Sequence, residues 1–231
     1  MKGVPSLKRS EINQAITQAI SLTQSLNFRL PPFAYWKAED WNDKSSEYDE
    51  IREAALGWDV TDFGKNDFKA YGFVAFTIRN GRLNSVQTQK PYAEKIMVSS
   101  EKQITPFHFH WSKMEDIINR GGGNLMIQLY NSTSDEEFAN TPVRASVDGR
   151  CFEVPAGTVI RLTPGESISL YPKLYHQFWS EEGTGSTLIG EVSMFNDDSI
   201  DNRFFDFAPR YIEIAEDEVP LYRLCNEYGK Y

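Results

Sequence analysis

The stretch Thr105–Gly123, TPFHFHWSKMEDIINRGGG, decides how this chain is read. Only three histidines occur in 231 residues, and two of them, His108 and His110, stand here one residue apart. Residues two apart on a strand share a face. The imidazoles therefore project together, while Phe107, Phe109 and Trp111 point the other way into a packed layer. The strand is expected to end after the pair, which lets Glu115 swing back toward it. Two imidazoles and a carboxylate suit a divalent transition ion such as Mn, Fe, Co, Ni or Zn. Two incidental polar strand positions are the competing interpretation, and the following glutamate in a β-rich chain weighs against it. The run Gly121-Gly122-Gly123 lacks the Gly-Lys-Ser/Thr ending of a phosphate loop and is read as a tight turn between strands.

Outward from this stretch, period-two alternation begins near residue 68. FKAYGFVAFTIRN, AEKIMVSS, GNLMIQLYNS, VRASVDGRCFEV, GTVIRL, SISLYP, HQFWS and STLIGEVSMF all read as strands. Turn signals separate them: Asn80-Gly81, Asp148-Gly149, Pro155-Ala156-Gly157, Pro164-Gly165 and Gly183-Thr184-Gly185. Many short strands with little helix between them predict a mainly β protein, a sandwich or barrel. Upstream, residues 10–27 predict an amphipathic helix capped by Ser10, with Ile12, Ile16, Ala19 and Ile20 at helical spacing. A shorter helix is expected from Ser46 to Ala55, with Tyr48, Ile51 and Ala55 on one face. No site is assigned to either helix. The chain is read as one domain: residues 1–65 an N-terminal helical extension, about 68–200 the barrel core, and 201–231 a C-terminal wrap.

The formal charge of −9 repels phosphate backbones and anionic lipid surfaces, so no nucleic-acid or membrane partner is expected. Cys151 and Cys225 are far apart and outside any CxxC spacing, and are read as reduced thiols. The opening residues carry no signal-peptide core and no run reaches membrane-spanning length, which points to a cytoplasmic protein.

The spacing His108-x-His110-x4-Glu115-x6-Gly122 resembles the first motif of the cupins, and Gly165 through Pro172 to His176 resembles the second, about forty residues on. Lys102 stands where the first motif opens with glycine. In the second motif the step from Pro172 to His176 is one residue short, its glycine is missing, and Ser180 stands where asparagine is common. The resemblance implies a jelly-roll barrel (a double-stranded β-helix) whose interior metal is held by His108, His110, Glu115 and His176. If His176 faces the same cavity, one site accounts for every histidine. A narrower likeness is to the D-lyxose isomerases. It is carried by HFHWSKMEDIINRGGGNLMIQLYNS, Glu94-Lys95, LYHQFWS around His176, and GEVSMFNDDSIDNRFFDF from Gly190 to Phe207, over most of the chain from about residue 30.

That likeness implies a metal-dependent aldose–ketose isomerase interconverting D-lyxose and D-xylulose, and also D-mannose and D-fructose, through an enediol. Mn2+ is the expected cofactor and a sugar the small-molecule partner, and cupin barrels of this kind are often homodimers. Lys113, between His110 and Glu115, is the leading acid/base candidate, joined by Lys95 and Glu191. Glu191 lies in the apolar run Leu188-Ile189-Gly190-Glu191-Val192, where a carboxylate facing a cavity competes with one on an exposed edge strand. Lys95, Lys113, Glu191, Asp201 and Arg203 are the expected sugar contacts. Trp111, Phe178 and Trp179 are candidates for an apolar wall, or else core. The alternatives are an iron-dependent cupin dioxygenase and a non-catalytic sugar-binding cupin.

Overall fold

A computed structural model describes residues 7–81, 90–195, 197, 200–209 and 211–229. The opening residues 1–6, and Asn196, Asp198 and Ser199 within the quoted segment from Gly190 to Phe207, lie outside the described residues.

The alternating segments become strands, as their β-branched and aromatic content favours. Strand β1 (Leu7–Lys8) precedes helix α1 (Arg9–Ser25) and the short helix α2 (Asp49–Glu53). Then come β2 (Gly57–Thr61), β3 (Phe73–Arg79), β4 (Tyr92–Ser99), β5 (Thr105–His110), β6 (Glu115–Gly122) and β7 (Leu125–Asn131). The chain continues through β8 (Val143–Val147), β9 (Arg150–Val154), β10 (Val159–Leu162), β11 (Ser167–Leu170), β12 (Leu174–Ser180) and β13 (Thr187–Met194). It closes with β14 (Asn202–Phe204) and β15 (Ile214–Ala215). An eight-stranded sheet in the order β2-β3-β4-β13-β6-β11-β8-β9 faces a five-stranded sheet in the order β10-β7-β12-β5-β14. Between them, Met97, Ile117 and Ile189 from the larger sheet pack with Leu125, Ile127, Leu129 and Phe178 from the smaller.

The larger sheet starts at Gly57 and the smaller one takes in Asn202–Phe204, so the barrel extends past 68–200 at both ends. The stretch Gly57–Thr61 is buried along its whole length because both its faces are covered. Trp58 and Val60 point outward under α1, packing with its Ile12, Ile16 and Ala19 and with Val74, Phe76, Ile96 and Leu188. Burial of each such isoleucine contributes roughly 1.5–3 kcal/mol. The alternate residues Asp59 and Thr61 face the interior.

Several local details differ from the sequence expectation. Helix α1 starts at Arg9 with Lys8 as its cap residue, and Ser10 instead donates from its backbone N–H and hydroxyl to Asp217 at 2.9 and 2.8 Å. The helix ends where Asn27 turns left-handed (φ 57°), with Asn27 N–H on Gln24 O and Phe28 N–H on Thr23 O, a Schellman closure. The second helix shrinks to a 3-10 turn and five residues, and Ala54, not Ala55, is the buried one. Lys102 (φ 62°) and Lys173 (φ 63°) are both left-handed, Lys102 at the place of the first motif's missing glycine and Lys173 just after Pro172 in the second. Asp148 and Gly149 are both left-handed, which turns β8 directly into β9. The triple glycine spans the end of β6 rather than forming a simple turn. A Cβ on Gly122 would lie 2.2 Å from Ser186 O, and one on Gly123 2.3 Å from Gly185 O, so only glycine permits this backbone approach.

Cys151 is exposed and Cys225 is buried, and neither is in a disulfide. Among the described residues no helix is long and apolar enough to cross a membrane.

Candidate metal and active site

Strand parity builds the site. Strand β5 turns His108 and His110 inward, and Glu115, the first residue of β6, returns after a tight connection. His176 on β12 is the direct cross-strand neighbour of His108. All four side chains are buried, and one ligand atom from each lies within 4.8 Å of the others. The His108 and His176 rings are 4.2 Å apart between centroids, and His110 lies 5.3 Å from His108 and 5.8 Å from His176.

Hydrogen bonding fixes which ring atoms face one another. His108 Nδ1 sits 2.8 Å from Pro106 O and His176 Nδ1 3.0 Å from Leu174 O, so each Nδ1 donates and each Nε2 is left as a lone pair. His176 Nε2 is buried with no hydrogen-bond partner, yet lies 3.2 Å from Glu115 Oε1. His110 Nε2 lies 3.3 Å from the same oxygen. A ring lone pair facing a carboxylate oxygen in a buried space is repulsive unless a cation lies between them, and backbone-anchored Nδ1–H groups are how metal-binding imidazoles are oriented. The donor set therefore fits a divalent metal ion. Burial, then the neighbouring His176 and His110, hold His108 well below the ordinary imidazole range, so it stays neutral and ligand-competent. Burial alone would raise the Glu115 carboxyl, but the Lys113 ammonium and His110 hold it well below the usual carboxylate range.

Beside the four ligands runs a buried charge relay. Lys113 Nζ donates to Glu115 Oε2 at 2.7 Å and to Glu191 Oε1 at 2.9 Å. Lys95 Nζ lies 3.8 Å from Glu191 Oε1, which also accepts the Ser193 hydroxyl at 2.9 Å. Strand β13 sits mid-sheet between β4 and β6, with Glu191 paired to Lys95 and Ile117, so Glu191 is interior and not at a water-facing edge.

Other expected contacts fall elsewhere. Asp201 Oδ1 and Oδ2 accept the backbone N–H groups of Ser112 and Lys113 at 2.9 and 3.2 Å, and its carbonyl accepts Trp111 N–H at 3.0 Å. It clamps the loop that carries Lys113. Arg203 is absent from the cavity wall: Asn202 and Phe204 line it, and the residue between them points outward to an ion pair with Glu136. Trp111 lies past the end of β5 and is 37% exposed, so it is not in the packed layer. Of the three aromatic wall candidates only Phe178 lines the cavity.

The open space between these side chains is about 610 Å³ when counted out into solvent. Sequence reasoning missed Asp59, Thr61, Phe63 and Asn202 on the cavity wall. The only signal for the first two was the alternation Trp58-Asp59-Val60-Thr61, hidden by burial of both faces.

Fold and site together define a mainly β jelly-roll barrel of the cupin type, with a buried His/Glu cluster able to hold a metal ion beside a cavity lined by charged and aromatic side chains. The chain belongs to the D-lyxose isomerase family, whose model matches residues 7–228, and it is an isomerase. The D-lyxose/D-mannose isomerase of Escherichia coli O157:H7 is 46% identical over 226 residues, covering 97% of this chain and 100% of that protein. The D-lyxose/D-mannose isomerase of Serratia proteamaculans is 45% identical over 226 residues, covering 97% and 99%. Among solved structures, the L-ribose isomerase of Cellulomonas parahominis with L-psicose superposes with a TM-score of 0.61 at 16% identity, covering 92% of this chain and 100% of its own, a likeness of fold. Family membership sets aside the dioxygenase and the non-catalytic alternatives.

Proposed function

We propose that this protein is a metal-dependent aldose–ketose isomerase that interconverts D-lyxose with D-xylulose and D-mannose with D-fructose. The observation that carries the proposal is the buried approach of the His176 Nε2 lone pair to Glu115 Oε1 at 3.2 Å, next to the Lys113–Glu191 pair on the same cavity. His108, His110, Glu115 and His176 would hold the ion. When bound, it supplies a Lewis acid for the sugar oxygens at C1 and C2. Mn2+ is the proposed ion, the choice that the likeness to the D-lyxose isomerases implies, since the donors by themselves suit several divalent ions. The names of the two relatives support the choice of sugars.

The chain's own residues move the proton. Glu191 takes it from C2 of the aldose and returns it to C1, giving the ketose through an enediol. Lys113, bonded to both Glu191 and Glu115, gives a proton to O1 as the enediol forms, takes up the O2 proton as the ketone forms, and fixes the geometry of the base. Lys95 places a second ammonium beside Glu191 and a donor for a sugar hydroxyl. Asp201 acts on the sugar only through the loop it clamps, and Arg203 is left out of the sugar contacts.

The homodimer is part of the same proposal. Tyr92 and Met194 are cross-strand neighbours that, with Val192 and Met114, leave exposed apolar surface on the outside of the larger sheet. The cytoplasmic location belongs to it too, since cysteines outside any disulfide suit a reducing compartment. Assay of a panel of five- and six-carbon aldoses in D2O, with and without Mn2+, tests the reaction. Metal-dependent ketose formation with solvent deuterium on carbon supports it, and inactivity toward every aldose with metal present contradicts it.

A further inference from the structure

We infer that Asp59 binds the terminal hydroxyl of the open-chain sugar and so sets which chain length and which far end the cavity accepts. This rests on the isomerase reading of the site and adds its substrate-selecting end.

Asp59 comes from a strand that the polar–apolar alternation does not reveal. It lies on β2, at the edge of the larger sheet, is only 8% exposed, and lines the same cavity as His108 and Glu191. The register places Asp59 opposite Ala75 and Ala75 opposite Met97, whereas Lys95 is opposite both Thr77 and Glu191. Asp59 is therefore two strands from the strand of Lys95, about 10 Å along the sheet at the usual strand spacing. Side chains reaching inward from both positions leave a gap that an extended five- or six-carbon chain spans.

The wall between the two ends is apolar and aromatic. The Phe204 ring lies 5.3 Å from His108 and 5.7 Å from Phe63, and Phe63 lies 6.0 Å from Phe73. All three phenylalanines line the cavity, so rings lead from the ligand cluster toward the segment just after β2. Such faces pack against the C–H surface of a sugar, and a carboxylate beyond them accepts from its hydroxyl. Thr61, on the same inner face two residues on, adds a second hydroxyl-binding group.

The test compares kcat/KM for D-lyxose and 5-deoxy-D-lyxose, which differ only in the terminal hydroxyl, in Mn2+-loaded protein. Unmodified protein is expected to favour D-lyxose by roughly 10- to 100-fold, the scale of one hydrogen bond to a charged group. In Asp59→Ala the preference is expected to collapse to about threefold or less, mainly through a raised KM for D-lyxose. Asp59→Asn, which keeps the volume, is expected to lose most of it with an unchanged melting temperature and Mn content, which keeps the test decisive if Asp59→Ala misfolds. A ratio equal to that of the unmodified protein in Asp59→Asn, or no preference in the unmodified protein, overturns the role of Asp59 while leaving the isomerase reading intact. Absence of turnover on every aldose by the unmodified protein overturns that reading, and this inference with it.

Discussion

Among the described residues, one cluster of buried charge lies at the seam between the N-terminal helix and the C-terminal segment, and another at the cavity floor. At the seam, Arg9 is fully buried, and its guanidinium donates to Glu216 at 2.8 and 2.7 Å and to Glu227 at 2.5 Å. Glu227 also accepts Leu224 N–H at 2.9 Å. Donors there meet acceptors, and the result ties α1 to the C-terminal segment. At the cavity floor, Lys113, Glu115 and Glu191 are paired just as closely, but the Nε2 atoms of His176 and His110 both face Glu115 Oε1, at 3.2 and 3.3 Å, and His176 Nε2 has no hydrogen-bond partner. Burial of charge is common to both clusters and so identifies nothing. What separates them is a surplus of acceptor atoms converging on a point beside open space.

That contrast can be broken in order of expected effect. His176→Ala removes one of the converging acceptors, and isomerase activity should fall below detection together with bound metal, measured by elemental analysis. Tight metal retention with activity would place the ion elsewhere. Glu191→Gln keeps the shape of the base and removes its charge. A loss of kcat of about 10²–10⁴-fold, with metal content unchanged, is expected from a general base. Arg9→Ala breaks the other cluster, where the cost should fall on stability: about 3–5 kcal/mol in urea unfolding, the scale for an orphaned buried charge. Activity per folded molecule should stay within a few fold, and a large specific loss of kcat would join the two clusters functionally. Arg203→Ala removes an outward ion pair on the strand next to the site. A stability change within about 1 kcal/mol and activity within twofold are expected.

Particular residues show why some of this was legible in the sequence and some was not. His108, His110 and Glu115 were legible because a strand's two-residue period converts spacing directly into a shared face. His176 needed the likeness to a second motif, since nothing in its own neighbourhood fixes where β12 lies against β5. Glu191 was legible as an anomaly in an apolar run, but its side of the sheet was not. Asp201 and Arg203 show the limit of parity: the strand that decides it is only three residues long, and its pairing with β5 turns Asn202 inward and Arg203 outward. Asp59 and Thr61 escaped because α1 covers the outer face of β2, which erases the polar–apolar alternation that marks a half-exposed strand. Lys102 and Lys173 hold left-handed backbone without glycine, so these two turns form without the residue that most readily adopts that conformation.

The central claim is that the four converging ligands hold one divalent ion on which isomerisation depends. The most direct measurement is D-lyxose isomerisation by chelator-stripped protein as Mn2+ is titrated back. The account predicts no activity in the stripped protein and a linear recovery that ends at a single equivalent of Mn2+ per chain, with His108→Ala showing no recovery at any concentration. Full activity in the stripped protein, or recovery in His108→Ala equal to that of the unmodified chain, would contradict it.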